Sequence, residues 1–86
     1  MDLHTVIKHP VSTERSLRLM EAENKLVFVV EEKATKQDIK MAVEKVFNTK
    51  VTKVNTLRTS KGEKRAYVRF AEGVSAIDIA TNLGLM

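Results

Sequence analysis

The side chains able to do acid–base or metal chemistry in this 86-residue sequence are few and badly placed for it. His4 and His9 are the only groups that titrate near neutrality, and both lie in the N-terminal segment. On an extended segment their i, i+5 spacing sends the two imidazoles to opposite faces, so with Asp2 they do not converge on a metal. Ser12 lies near His9 but lacks an orienting acid and an oxyanion site, which leaves a nucleophilic triad without support. Gly62, Gly73 and Gly84 are scattered and form no phosphate-cradling loop. Glu31 and Glu32 are adjacent carboxylates that point to opposite sides of a strand. The residues therefore point away from an enzyme, and no cofactor or metal site is expected.

Binding chemistry has better material. Arg65, Tyr67 and Arg69 alternate along one stretch, which puts an aromatic between two guanidiniums on one strand face. Arginine pairs bidentately with phosphate, and tyrosine stacks on a base or covers a sugar. The same pattern also describes a solvated face on which Tyr67 shields its neighbours. Asn55, Thr56 and Arg58 add short donors and another cation. Asn55 interrupts a strand-like run, where asparagine is depleted, and that invites either a binding or a turn-side role. Lys33, Lys36 and Lys40 gather at the start of a helix, where free backbone N–H groups already favour an anion. With Lys61 and Lys64 around the turn, these eleven residues are the candidate polyanion contacts. If six to eight of them met phosphates, the logarithmic salt slope of binding would be roughly −0.7 to −0.9 per contact.

The charge distribution agrees. The chain carries +4 overall with a pI near 9.6, but residues 33–69 alone carry +8, between ends that are each −2. A basic middle suggests a polyanion-facing surface, nucleic acid first among the candidates; a basic small domain that binds nothing special is the alternative. At 9.7 kDa the chain makes one domain, residues 1–86, with a single core. The longest apolar run, Leu26 to Val30, is far short of the ~20 residues of a spanning helix. There is no cysteine, hence no disulfide or thiolate zinc site. The start of the chain does not read as a secretory signal. A cytoplasmic, self-folding domain is expected, with no stable membrane insertion and no homo-oligomer.

The elements that must position these residues are legible. His9-Pro10 marks the end of a short extended segment from Thr5 to Ile7. Ser12 or Thr13 caps a helix that begins near Glu14 and buries Leu17 and Met20. Leu26 to Val30 is a strand without alternation, so both its faces are covered and it is central. Thr35 and Asp38 form a capping box ahead of a helix whose apolar face is Ile39, Ala42, Val43, Val46 and Phe47, with Asn48 as a stop. Val51 to Thr59 and Lys64 to Ala71 are strands joined by a turn at Lys61-Gly62. In the second, Ala66, Val68 and Phe70 face one way and Arg65, Tyr67 and Arg69 the other. Ser75 and Asp78 cap a last helix, with Val74 and Ile79 as a staple, ending at Gly84 after Leu83. The order β-α-β-α-β-β-α predicts an α+β fold, a two-layer α/β sandwich whose mainly antiparallel sheet of about four strands carries the helices.

Several segments together resemble the large-subunit ribosomal protein L twenty-three family. They are Pro10-Val11-Ser12-Thr13-Glu14-Arg15, Ala34-Thr35-Lys36 with Ile39-Lys40, Ala42-Val43 and Phe47, Val51 with Val54-Asn55-Thr56-Leu57, and Lys64-Arg65-Ala66-Tyr67-Val68. The resemblance runs from about residue 6 to residue 71. It implies a structural protein that binds large-subunit ribosomal RNA at the rim of the polypeptide exit tunnel, beside ribosomal protein L twenty-nine. It implies RNA contacts at Thr35, Lys36, Asn55, Thr56, Lys64, Arg65 and Tyr67. It also implies a docking platform for nascent-chain factors, with Glu14 at the position that a bacterial chaperone uses; a helix-dipole role for Glu14 is the alternative. Ser60-Lys61-Gly62-Glu63 replaces the long basic loop of bacterial members, and the basic N-terminal extension of eukaryotic members is missing. The pattern looks archaeal, which favours signal recognition particle and the protein-conducting channel as partners over the bacterial chaperone. A small anion-binding enzyme and a protein-interaction module without RNA affinity are the competing classes.

Overall fold

A computed structural model describes residues 3–82, with side chains from residue 5 onward. The elements are α1 (Leu3–Val6), β1 (Ile7–Pro10), α2 (Glu14–Glu23), β2 (Lys25–Val30), α3 (Lys36–Val46), β3 (Val51–Arg58), β4 (Lys64–Phe70) and α4 (Ala76–Asn82). The expected order β-α-β-α-β-β-α is present, preceded by one turn of helix. Leu83 and Gly84, the expected end of the last helix, lie outside the described residues.

Helix starts follow their capping chemistry. Thr13 accepts a hydrogen bond from the Ser16 amide at 3.2 Å, and the Thr13 amide donates back to Ser16 Oγ at 2.8 Å. Thr35 and Asp38 repeat this reciprocal box, with both bonds at 3.1 Å. At the start of α4 the Asp78 amide likewise donates to Ser75 Oγ, at 3.2 Å. Asn24 ends α2 in the left-handed region at φ 57°, then clamps the start of α4. Its Nδ2 donates to the Val74 carbonyl at 2.7 Å and its Oδ1 accepts from the Ala76 amide at 2.8 Å.

The sheet is antiparallel throughout, in the order β1-β2-β4-β3. β2 is central as expected, and its residues 26–30 are all buried. Leu26, Phe28 and Val30 join Ile39, Ala42 and Val43 of α3, Ala66, Val68 and Phe70 of β4, Met20 of α2, and Ala76 and Ala80 of α4 in one core. Val27 and Val29 are buried outside that cluster, flanked across the strand by Tyr67 and Arg65. The main core therefore lies on one sheet face, and the other carries buried Val27 and Val29 beside the polar side chains of the hairpin, bordered by Val11 and the first turns of α2.

Two expectations are corrected. The first strand is Ile7–Pro10, not Thr5 to Ile7: Val6 is the last residue of a helical turn and fully buried. Its carbonyl accepts the Glu31 amide at 2.8 Å. Because β1 is an edge strand, Pro10 forfeits no essential ladder bond, so the strand runs through it. Val46 is 46% exposed rather than part of the buried stripe. The helix ends there, and the following Phe47 swings in to stack on Phe28, with ring centroids 5.7 Å apart.

Candidate nucleic-acid interface

The β3–β4 hairpin supplies most of the candidate residues, and strand alternation divides them between two surfaces. Register pairs Asn55 with Tyr67, Leu57 with Arg65, and Lys53 with Arg69. These form successive rows on the sheet face opposite α3, the open face, which α2 borders only beside Tyr67 and Arg65. Thr56 pairs with Ala66 and Arg58 with Lys64, and their side chains lie on the face that carries α3. Of the β3 candidates, Asn55 thus shares a face with Tyr67, whereas Thr56 and Arg58 lie on the opposite one.

On the open face, Tyr67 is half-buried between exposed Arg69 and half-buried Arg65. Tyr67 and Arg65 border a shallow crevice closed by Val27, Val11, Leu19 and Arg15. Arg65 reaches Glu63 at 3.7 Å, a partly exposed pair of little strength, and its Nε is buried without a hydrogen-bond partner. Sequence reasoning missed Lys53 and Arg15 here. Lys53 was signalled by the same period of two that joins Asn55 to Leu57; Arg15 lies in another element and carried no local signal.

At the other surface the turn before α3 meets the hairpin. Lys64 Nζ donates to the Ala34 carbonyl at 2.6 Å and to the Glu32 carbonyl at 3.4 Å. Arg58 bonds the Glu32 carboxylate at 2.6 Å, and this hydrogen bond, with the guanidinium's charge, holds the Glu32 carboxyl below its ordinary range. The Asp38 carboxyl is also lowered, first by the Thr35 amide that donates to it. Thr35, Arg58 and Lys64 are thereby engaged within the protein. Lys33, Lys36, Lys40 and Lys61 are exposed, and among the described residues none of their ammonium groups has an ion pair. Lys36 and Lys40 line a groove with Lys53 along the side of β3, which links this surface to the open face at its edge. The turn itself is tight: the Gly62 amide donates to the Thr59 carbonyl at 3.0 Å, and Gly62 has φ +84°.

Glu14 is the first residue of α2, fully in solvent, 3.5 Å from Arg18 one turn on. Among the described residues there is no cluster of acidic or imidazole side chains able to hold a metal, and no helix is long and apolar enough to cross a membrane.

The arrangement is a rigid scaffold displaying cations, short donors and one aromatic. The family model for Ribosomal protein L23 matches residues 5–77. The chain belongs to the L23 family. Its relatives include the large ribosomal subunit protein uL23 of Methanococcus vannielii, 47% identical over 99% of both chains, and that of Methanococcus aeolicus, 46% identical over 99% of both. The uL23 protein of Tetrahymena thermophila is 44% identical over the whole of this chain, which spans 57% of its length. L23-family membership makes the chain a ribosomal protein, not an enzyme. The end-to-end match to the two archaeal proteins accords with the short hairpin turn read from the sequence.

Proposed function

We propose that this L23-family chain is built into the large ribosomal subunit of the cytoplasmic ribosome, binding large-subunit ribosomal RNA near the polypeptide exit tunnel. The observation that carries this reading is the row of side chains on the open sheet face, Asn55–Tyr67, Arg65 and Lys53–Arg69, standing beside the free lysines at 33, 36, 40 and 61. Fixed cations replace mobile counterions around phosphates, while Tyr67 offers a stacking plane and Asn55 a donor and an acceptor. Thr35, Thr56, Arg58 and Lys64 complete the set that the family resemblance assigns to RNA or that flanks it. The test is binding of the purified chain to large-subunit ribosomal RNA across a salt series. A slope corresponding to several phosphate contacts supports the reading; weak, salt-insensitive binding overturns it.

The same chain, in this proposal, sits beside ribosomal protein L twenty-nine and helps form the docking site for signal recognition particle and the protein-conducting channel. Glu14 supports it by standing exposed at the start of α2, remote in sequence from the basic hairpin. Ribosomes carrying Glu14→Lys should recruit these factors less while binding RNA normally. Unchanged recruitment would leave Glu14 as a helix-dipole partner alone.

A further inference from the structure

The lysine with the shortest polar contact among the candidate residues is Lys64, and its partners are backbone carbonyls rather than acids. The Ala34 carbonyl lies 2.6 Å from its ammonium and the Glu32 carbonyl 3.4 Å away. Ala34 is fully buried, and its amide closes the turn by donating to the Glu31 carbonyl at 3.0 Å. The next residue, Thr35, caps α3. Lys64 therefore reaches from the sheet to the last carbonyl before the helix. Two further ties hold the same turn: Arg58 on the Glu32 carboxylate, and the Glu31 amide on the Val6 carbonyl.

Charge is only part of what places an ammonium there, although Lys64 lies near enough to help lower the Glu32 carboxyl. The start of a helix carries a partial positive charge and disfavours cations, and among the described residues no carboxylate lies within ion-pair distance of Lys64. What holds it is the geometry of two carbonyl acceptors, one of them on a buried residue. An unmade hydrogen bond at such a site is costly, so the ammonium is committed to the turn. Lys33 lies inside that turn and Lys36 is the first residue of α3; both are exposed. Their separation and direction are set by whatever fixes residues 32–35.

We propose that Lys64 is a positioning residue for RNA binding: its ammonium pins the turn so that Lys33 and Lys36 are presented as a fixed pair, and it does not itself meet a phosphate. This rests on the RNA-binding reading above. Lysine rather than a shorter donor is required because the group must cross from β4 to the turn, and one ammonium can serve both carbonyls.

The test uses the full chain as wild type, Lys64→Met, Lys64→Arg and Lys36→Met. In the RNA-free protein, amide hydrogen exchange at Ala34 and Thr35, whose amides bond the Glu31 carbonyl and the Asp38 carboxylate, should rise at least tenfold in Lys64→Met, while the amides of Val27 and Val68 keep wild-type protection. Lys64→Arg, which retains donors at that reach, should restore protection. With large-subunit ribosomal RNA, Lys64→Met should lose about tenfold in affinity with the salt slope unchanged, and Lys64→Arg should recover most of it. Lys36→Met, by contrast, should lower the slope by about one contact, 0.7 to 0.9, with normal exchange. A slope lowered by one contact in Lys64→Met with unchanged exchange would make Lys64 a phosphate ligand and overturn the proposal. If Lys64→Met does not fold, Lys64→Gln, with a shorter donor, must show intermediate exchange at the turn; wild-type protection there overturns the proposal. If wild type fails to bind the RNA, the RNA reading falls, and the exchange arm alone decides whether the pin exists.

Discussion

The two faces of the β3–β4 hairpin are built from alternate residues of the same strands, yet their cations are in opposite conditions. On the helix side, Arg58 and Lys64 are bonded to the protein's own oxygens at 2.6 Å. On the open side, Arg69 and Lys53 have no ion pair among the described residues, and Arg65 has only a loose one. A cation satisfied internally has already given up its water for a protein partner, so it holds structure. A free one still exchanges water and counterions and can meet a phosphate. The difference separates residues whose loss should unfold or loosen the chain from those whose loss should release RNA.

The largest expected effect lies on the helix side. Phe28→Ala removes a fully buried ring and its stack with Phe47, and should cost about 3–5 kcal/mol in denaturant unfolding. A loss below about 1 kcal/mol would mean that the covered face is not the core. Next comes the open face: Arg65→Glu with Tyr67→Ala should weaken RNA binding at least ~100-fold, since a stacked base alone contributes about 1–3 kcal/mol. Its unfolding should remain cooperative. Undiminished affinity in that folded double variant would remove the open face from the interface. Thr35→Ala breaks the capping box and should cost about 1 kcal/mol of stability, measured by the same unfolding curves.

Acid should act on the helix side. The Glu32 and Asp38 carboxyls sit below their unfolded values. Their contribution is therefore present above the ordinary carboxylate range and is lost as pH falls through the lowered folded values. Stability should decline on acidification from pH 5 toward pH 2, less so in Asp38→Asn; an equal decline in that variant would assign the effect elsewhere. The smallest effect is at Glu14, where Glu14→Gln should change stability by no more than about 0.5 kcal/mol and leave RNA affinity alone.

The sequence shows why the fold was legible and the interface only partly so. Thr35 with Asp38, the unbroken run Leu26 to Val30, and the alternation from Arg65 to Phe70 are local patterns, and local patterns dictate elements and burial directly. The partners of Lys64, Arg58 and Asn24 lie 30, 26 and about 50 residues away, and no spacing rule announces them. The period of two by itself parts Asn55 from Thr56 and Arg58, but it does not say which face a helix covers. Val46 fitted the helical repeat, but the helix ended beneath it and Phe47 took the place in the core.

The most direct measurement is a map of protein–RNA cross-links formed in intact ribosomes. The account predicts cross-links from the open face of the hairpin, at Asn55, Tyr67 and Arg69, together with Lys33 and Lys36. Cross-links confined to β1, α2 and α4, with the hairpin untouched, would contradict it.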